Sequence, residues 1–124
     1  MYYIGIDVGG TNLVAGLVDA DGRIRDKASR PVPRDMTARQ FGGYLVELAE
    51  QVCDKTGTAR DQVEAVGIGL PGAVDNTAGL FVHNPNMPFS DKNVPLREMF
   101  QGSWNVPVYL GNDANCAAIG EYWS

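Results

Sequence analysis

The stretch Tyr2-Tyr3-Ile4-Gly5-Ile6-Asp7-Val8-Gly9-Gly10-Thr11-Asn12-Leu13-Val14-Ala15-Gly16-Leu17-Val18 decides the fold. Residues 2–6 are β-rich and alternate weakly, residues 13–18 are apolar on both faces, and two adjacent glycines stand between them, flanked by Asp7 and Thr11. This pattern describes two strands joined by a glycine turn that opens after an acid and closes on a hydroxyl. Residues 23–30 follow Asp21-Gly22, a dipeptide suited to a hairpin, and supply a third strand.

Further along, Pro31 and Pro33 end the sheet segment, and Thr37 is placed to cap a helix. Phe41, Leu45, Leu48, Ala49 and Val52 share one face of that helix, and Gly57 lies beyond its end; Gly42 and Gly43 weaken it without deleting it. Residues 65–70 and 106–110 are short, nearly continuous apolar runs, one ended by Pro71-Gly72 and the other by Gly111-Asn112-Asp113, and they read as central strands buried on both sides. Residues 74–90 are rich in Asn, Gly and Pro and predict an irregular loop, long enough to suggest a binding role, and residues 96–100 predict a brief helix. From Ala114, the residues Cys116, Ala117, Ile119 and Gly120 suit a closely packed helix; the sequence stops at Ser124 with no capping signal, which predicts a cut terminus. The order β-β-β-α-β-α-β-α describes one α/β unit whose sheet opens antiparallel and becomes parallel.

Composition narrows the classes of function. With 44% hydrophobic and 20% charged residues over 124 positions, the chain can bury one ordinary globular core. The formal net charge is −5 and the Lys and Arg residues are scattered, so a nucleic-acid partner is not expected. The opening residues have no basic n-region, and Asp7 interrupts the apolar run far short of a membrane span, so no membrane association and a cytoplasmic location are expected. Cys53 and Cys116 are isolated, without a Cys-x-x-Cys or a neighbouring His, and read as buried reduced thiols.

Two places carry chemistry. In Asp7-Val8-Gly9-Gly10-Thr11 the glycines let successive backbone N–H groups face an anion with no Cβ in the way, which makes a phosphate cradle of the main chain. A carboxylate there repels phosphate directly but can hold Mg²⁺ or its waters, so Asp7 is the candidate metal-side residue. Taken alone, the same pentapeptide also reads as a tight hairpin turn whose amides are satisfied by Asp7 and Thr11. Asp113 follows a buried strand and opens a helix, at the sheet edge where open α/β folds place their ligands; taken alone, it also reads as a simple helix cap.

The ordered set Asp7-x-Gly9-Gly10-Thr11 with Asp19, then Gly67-Ile68-Gly69-Leu70-Pro71-Gly72, then Asn112-Asp113-Ala114-Asn115 with Glu121 resembles the ROK sugar kinases of the actin-like ATPase superfamily. The resemblance covers essentially the whole chain and matches that family's small N-terminal domain. It implies an α/β domain of the ribonuclease H-like, actin-like ATPase type, with a mixed five-stranded sheet flanked by helices. By position, Gly9, Gly10 and Thr11 resemble the ATP-phosphate loop, Asp7 the residue beside Mg²⁺, Asp113 the catalytic base and Asn112 a sugar-hydroxyl ligand. Asn86, in His83-Asn84-Pro85-Asn86-Met87-Pro88, resembles a second sugar ligand, with Asn84 as the alternative equivalent because Met87, Phe89 and Ser90 depart from the family's usual loop. Gly72 resembles the glycine whose backbone approaches the sugar, and is equally an ordinary strand-ending turn.

The implied activity is in-line transfer of a γ-phosphoryl group from ATP to a hexose hydroxyl, as in a glucokinase. In the family, a C-terminal domain holds adenosine, further sugar ligands and usually a zinc site, and that half is expected to be absent from residues 1–124, leaving them inactive alone. Possible homo-oligomers are implied only for the full-length protein. The alternatives are a sugar-sensing ROK repressor, which tends to lose the phosphate-loop pattern kept here, and another actin-like ATPase that phosphorylates no sugar. The residues do not name the sugar.

Overall fold

β1 (Tyr2–Val8) is the central strand of the sheet, and the rest of the chain is laid down around it. It runs antiparallel to β2 (Asn12–Asp19), which runs antiparallel to β3 (Ile24–Pro31). The chain then crosses the sheet in α1 (Ala38–Thr56), passes through a 3₁₀ turn at Arg60–Gln62 and returns as β4 (Val63–Gly69), parallel to β1 on its other side. A hairpin of β5 (Ala73–Asp75) and β6 (Leu80–His83) and the short helix α2 (Leu96–Gln101) lead to β7 (Val108–Gly111), parallel to β4. The main sheet therefore has the order β3-β2-β1-β4-β7, the expected mixed five-stranded arrangement. This computed structural model describes residues 1–85 and 87–112.

The period-two pattern of β1 sorts its side chains onto two faces. Ile4, Ile6 and Val8 join Leu13, Ala15 and Leu17 of β2, Val66 and Ile68 of β4, and Val108 and Leu110 of β7 in one core beneath α1. Phe41, Leu45, Leu48, Ala49 and Val52 of α1 close that core, as their helical spacing predicts. Burying a side chain such as Ile4 or Leu48, each 0% exposed, stabilises the fold by about 1.5–3 kcal/mol. The opposite face holds a smaller cluster of Tyr3, Val18 and Ala65 with Tyr109 against it, and Asp7 lies on this second face, two positions beyond Gly5.

α1 is bounded where the sequence places its signals. Thr37 Oγ1 accepts the Gln40 N–H at 3.1 Å and Gln40 Oε1 accepts the Thr37 N–H at 2.9 Å, a reciprocal cap in which the Thr37 part alone is worth about 1 kcal/mol. Gly57 ends the helix in the left-handed conformation, with φ at 68°. Gly42, a weak helix former, has a packing reason: a Cβ there would lie 3.2 Å from Met99 Cβ, so its absence lets α2 approach.

Residues 74–90 are not wholly irregular as the composition suggests. They contain most of the β5–β6 hairpin, because Val74, Leu80, Phe81 and Val82 supply two short apolar stretches and Gly79, at φ 73°, supplies the reversal between them. Phe81 is fully buried and its backbone pairs with Val94, which draws the hairpin onto the main core. The last strand begins at Val108, two residues later than the apolar run from Val106 predicts. Cys53 is a buried free thiol, as expected. Cys116 and the helix predicted from Ala114 lie outside the described residues. Among the described residues, no helix is long and apolar enough to cross a membrane.

Candidate functional site

The parallel strands β1, β4 and β7 all end at one edge of the sheet, and their register aligns their last residues. Asp7 pairs with Gly69, and Gly69 pairs with Gly111. The three motifs singled out in the sequence therefore leave the sheet side by side: the glycine turn after β1, Leu70-Pro71-Gly72 after β4, and Asn112 after β7. This is the edge at which open α/β sheets bind ligands.

At the first position, Asp7 is exposed and its side chain makes no ion pair or hydrogen bond among the described residues. Its neighbours in the row are Val14 and Gly69, so no other charged side chain of the sheet stands beside it. The turn that follows divides its amides between two uses. The Gly9 N–H donates to the Asn12 carbonyl at 3.0 Å and holds the turn closed, so it does not face an anion as the sequence reading expects. A Cβ on Gly9 would lie 2.9 Å from that same carbonyl oxygen, so the glycine there is a steric requirement. The Gly10 and Thr11 amides donate to no acceptor among the described residues, and a Cβ on Gly10 would meet nothing within 4 Å. Thr11 is fixed through its carbonyl, which accepts the Val32 N–H at 2.9 Å.

These residues fit a phosphate-bound magnesium ion. Mg²⁺ keeps several waters and takes one or two carboxylates together with phosphate oxygens, so a lone exposed carboxylate beside two unengaged amides suits it. Among the described residues there is no group of three or more His, Cys, Asp or Glu that would form an all-protein cage.

At the second and third positions the turn and the strand end are tied together. Asn112 Nδ2 donates to the Leu70 carbonyl at 3.2 Å and also to the Gly72 carbonyl. The Leu70 N–H in turn donates to the Gly111 carbonyl at 2.7 Å. Both side-chain bonds go to carbonyls, which fixes the amide so that Oδ1 is the end left to accept from a ligand. Gly72 has φ at 84°, and a Cβ there would lie 2.6 Å from the His83 carbonyl oxygen. The turn closes over the end of β6 so tightly that only glycine is accommodated. Asn84 touches this turn as well, with Cβ and Nδ2 within reach of the same point.

Asp7, Gly9, Gly10, Thr11, Gly72 and Asn112 are thus brought to one edge. Asn86 and Asp113 lie outside the described residues, although Asp113 directly follows Asn112 in the chain. Asp19, part of the ordered motif set, instead stabilises the β2–β3 hairpin: Oδ1 accepts the Asp21 and Arg23 N–H groups, both at 3.0 Å, and Oδ2 pairs with Arg25 at 3.7 Å. Sequence reading missed Asn76 and Arg97, which bond the outer edge of β7; an Asn after a short strand and an Arg on a six-residue helix carry no signal of that kind.

The sequence profile of the ROK family matches residues 3–124. The chain is 33% identical to a glucokinase of Halalkalibacterium halodurans over 98% of its own length and 36% of the relative's. It is 35% identical to an N-acetyl-D-glucosamine kinase of Citrobacter koseri over 99% of its own length and 38% of the relative's. A xylose repressor of Caldicellulosiruptor bescii is 37% identical over 64% of this chain and 19% of the repressor. Among solved structures, the ROK hexokinase of Thermus thermophilus superposes with a TM-score of 0.78 at 32% identity, covering 94% of this chain and 36% of that one. A ROK family glucokinase of Streptomyces griseus, solved with glucose and AMPPNP, gives 0.77 at 32% identity, covering 94% of this chain and 34% of that one. The chain spans little more than a third of the length of the kinases it matches. With a sheet of the actin-like ATPase type, three motifs on one edge and a profile match across nearly every residue, the chain belongs to the ROK family.

Proposed function

We propose that this chain is the N-terminal small domain of a longer ATP-dependent hexose kinase, and that it supplies the phosphate loop, the catalytic base and part of the sugar site. The observation that carries the reading is the alignment of Asp7, Gly69 and Gly111, which sets the glycine turn and the Asn112 end of β7 on the same edge. The kinases among the relatives, and the glucose and AMPPNP bound to the Streptomyces griseus structure, support it.

In this reading the Gly10 and Thr11 amides receive phosphate oxygens of ATP, and Asp7 holds Mg²⁺ through its waters. Bound Mg²⁺ supplies charge neutralisation on the phosphates. Asn112 Oδ1, Asn86 and the Gly72 backbone orient the sugar. Asp113, one residue beyond Asn112, takes the proton of the attacking hydroxyl, a step that typically contributes about 10²–10⁴-fold. Closing two domains around the substrates excludes water and aligns them, so these residues alone are proposed to have no measurable activity. Zinc is assigned to the other half.

The test is a coupled phosphorylation assay on the longer protein with ATP, Mg²⁺ and either glucose or N-acetylglucosamine. Turnover with one of them that disappears in a folded Asp113→Asn variant supports the reading, and turnover that survives the change ends it. A sugar-sensing repressor is the second reading, favoured by the xylose repressor among the relatives. The intact Asp7-x-Gly9-Gly10-Thr11 pattern weighs against it, and hexose binding without any phosphoryl transfer would restore it.

A further inference from the structure

β7 is the last strand of the sheet, and the main-chain groups of Val108 and Leu110 on its outer side face away from β4. Two side chains from separate elements close that side. Arg97, on α2, donates through Nε to the Val108 carbonyl at 2.7 Å. Asn76, just after β5, accepts the Leu110 N–H on Oδ1 at 2.8 Å. The pair is joined, because Arg97 Nη2 donates to the same Asn76 Oδ1 at 2.6 Å.

The turn after Asn76 is shaped around this arginine. The Arg97 N–H donates to the Gly79 carbonyl at 3.3 Å. Gly79 is at φ 73°, and a Cβ there would lie 2.8 Å from Arg97 Cβ. On the inner side the Gly111 carbonyl is held by the Leu70 N–H. The final residues of β7 are therefore fixed from both edges immediately before Asn112.

We propose that Asn76 and Arg97 form a positioning clamp that sets where the end of β7 delivers Asn112. Its kinetic consequence rests on the kinase reading; its structural consequence does not. Neither residue bonds Asp7, Gly10 or Thr11 among the described residues, so the clamp acts on the hydroxyl side of the site and leaves the phosphate side alone. A displacement of about 1 Å in a reacting group can cost on the order of 100-fold in rate.

The experiment compares Asn76→Leu, which removes the shared acceptor, with Asn76→Asp, which keeps it, in the full-length protein. Two readouts are taken: hydrogen exchange at the Leu110 amide, and steady-state kinetics. Asn76→Leu is expected to speed Leu110 exchange at least tenfold and to lower kcat roughly 10–100-fold, with KM for ATP within about twofold. Asn76→Asp is expected to match the wild type in both. Should Asn76→Leu fail to fold, Arg97→Met, which removes the bond to Val108 and keeps that to Leu110, is expected to lower kcat in the same way. Unchanged Leu110 exchange in Asn76→Leu, unchanged kcat in a folded variant of an active enzyme, or equal damage from Asn76→Asp overturns the clamp. If the wild type phosphorylates no sugar, the kinase reading fails, and the Leu110 exchange rate still decides the clamp.

Discussion

Asp7 and Gly69 stand opposite each other in the parallel pairing of β1 and β4, so the one exposed carboxylate on this row of the sheet has a neighbour with no side chain. No charged side chain of β4 stands beside it in this pairing, and its side chain bonds no other described residue. Asp7→Asn in the full-length protein is therefore expected to leave the unfolding free energy within the usual surface range, about ±0.5 kcal/mol, while lowering Mg²⁺-dependent phosphorylation by at least roughly 100-fold. Thermal denaturation and a Mg²⁺ titration of turnover check the two halves separately.

The two glycines of the turn are expected to differ in kind. Gly9→Ala forces a Cβ to within 2.9 Å of the Asn12 carbonyl oxygen and should destabilise the fold, by about 1–3 kcal/mol. Gly10→Ala has open space within 4 Å, so stability should hold while ATP affinity falls, because the new methyl stands beside the amides proposed to meet phosphate. Calorimetric denaturation and nucleotide titration distinguish them; equal behaviour of the two variants would contradict the division of labour in this turn.

Gly72→Ala meets two obstacles at once, a positive φ of 84° and a Cβ 2.6 Å from the His83 carbonyl oxygen. A loss of about 2–4 kcal/mol is expected from strain and overlap together, read as a lowered denaturant midpoint at unchanged slope.

Burial pushes the Cys53 thiol above its ordinary range, with Asp54 and then Glu50 adding to the effect and Arg60 opposing it. The folded state therefore favours the neutral thiol. Its contribution is fully present below the ordinary thiol range and is lost as pH rises through the raised folded value. Iodoacetamide at pH 8 is expected to spare Cys53 in the folded protein and to label it in denaturant, read by mapping the peptide that contains it.

Local signals were sufficient for most of the architecture. The Thr37 cap, the Gly57 terminator, the helical face from Phe41 to Val52 and the alternation through Ile4 and Ile6 are short-range patterns, and short-range physics enforces them. The β5–β6 hairpin was not legible, because its strands are only three and four residues long and it is held by Phe81 and Val94, a pairing across thirteen positions that composition cannot reveal. The ordered motifs Asp7-x-Gly9-Gly10-Thr11, Leu70-Pro71-Gly72 and Asn112-Asp113 were equally readable as residue types.

By itself, then, the sequence determined which elements form and which residues have the chemistry for phosphate, metal and sugar, since propensity, capping and side-chain type are local properties. Only the tertiary structure decided how those residues are used. Register between strands far apart in the chain set Asp7, Gly69 and Gly111 in one row. The Gly9 amide is taken up locally by the Asn12 carbonyl, whereas long-range hydrogen bonds turned the Asn112 carboxamide nitrogen toward holding the fold. They also recruited Asn76 and Arg97 to the edge of β7, because which donor meets which acceptor depends on distances that exist only once the sheet is assembled.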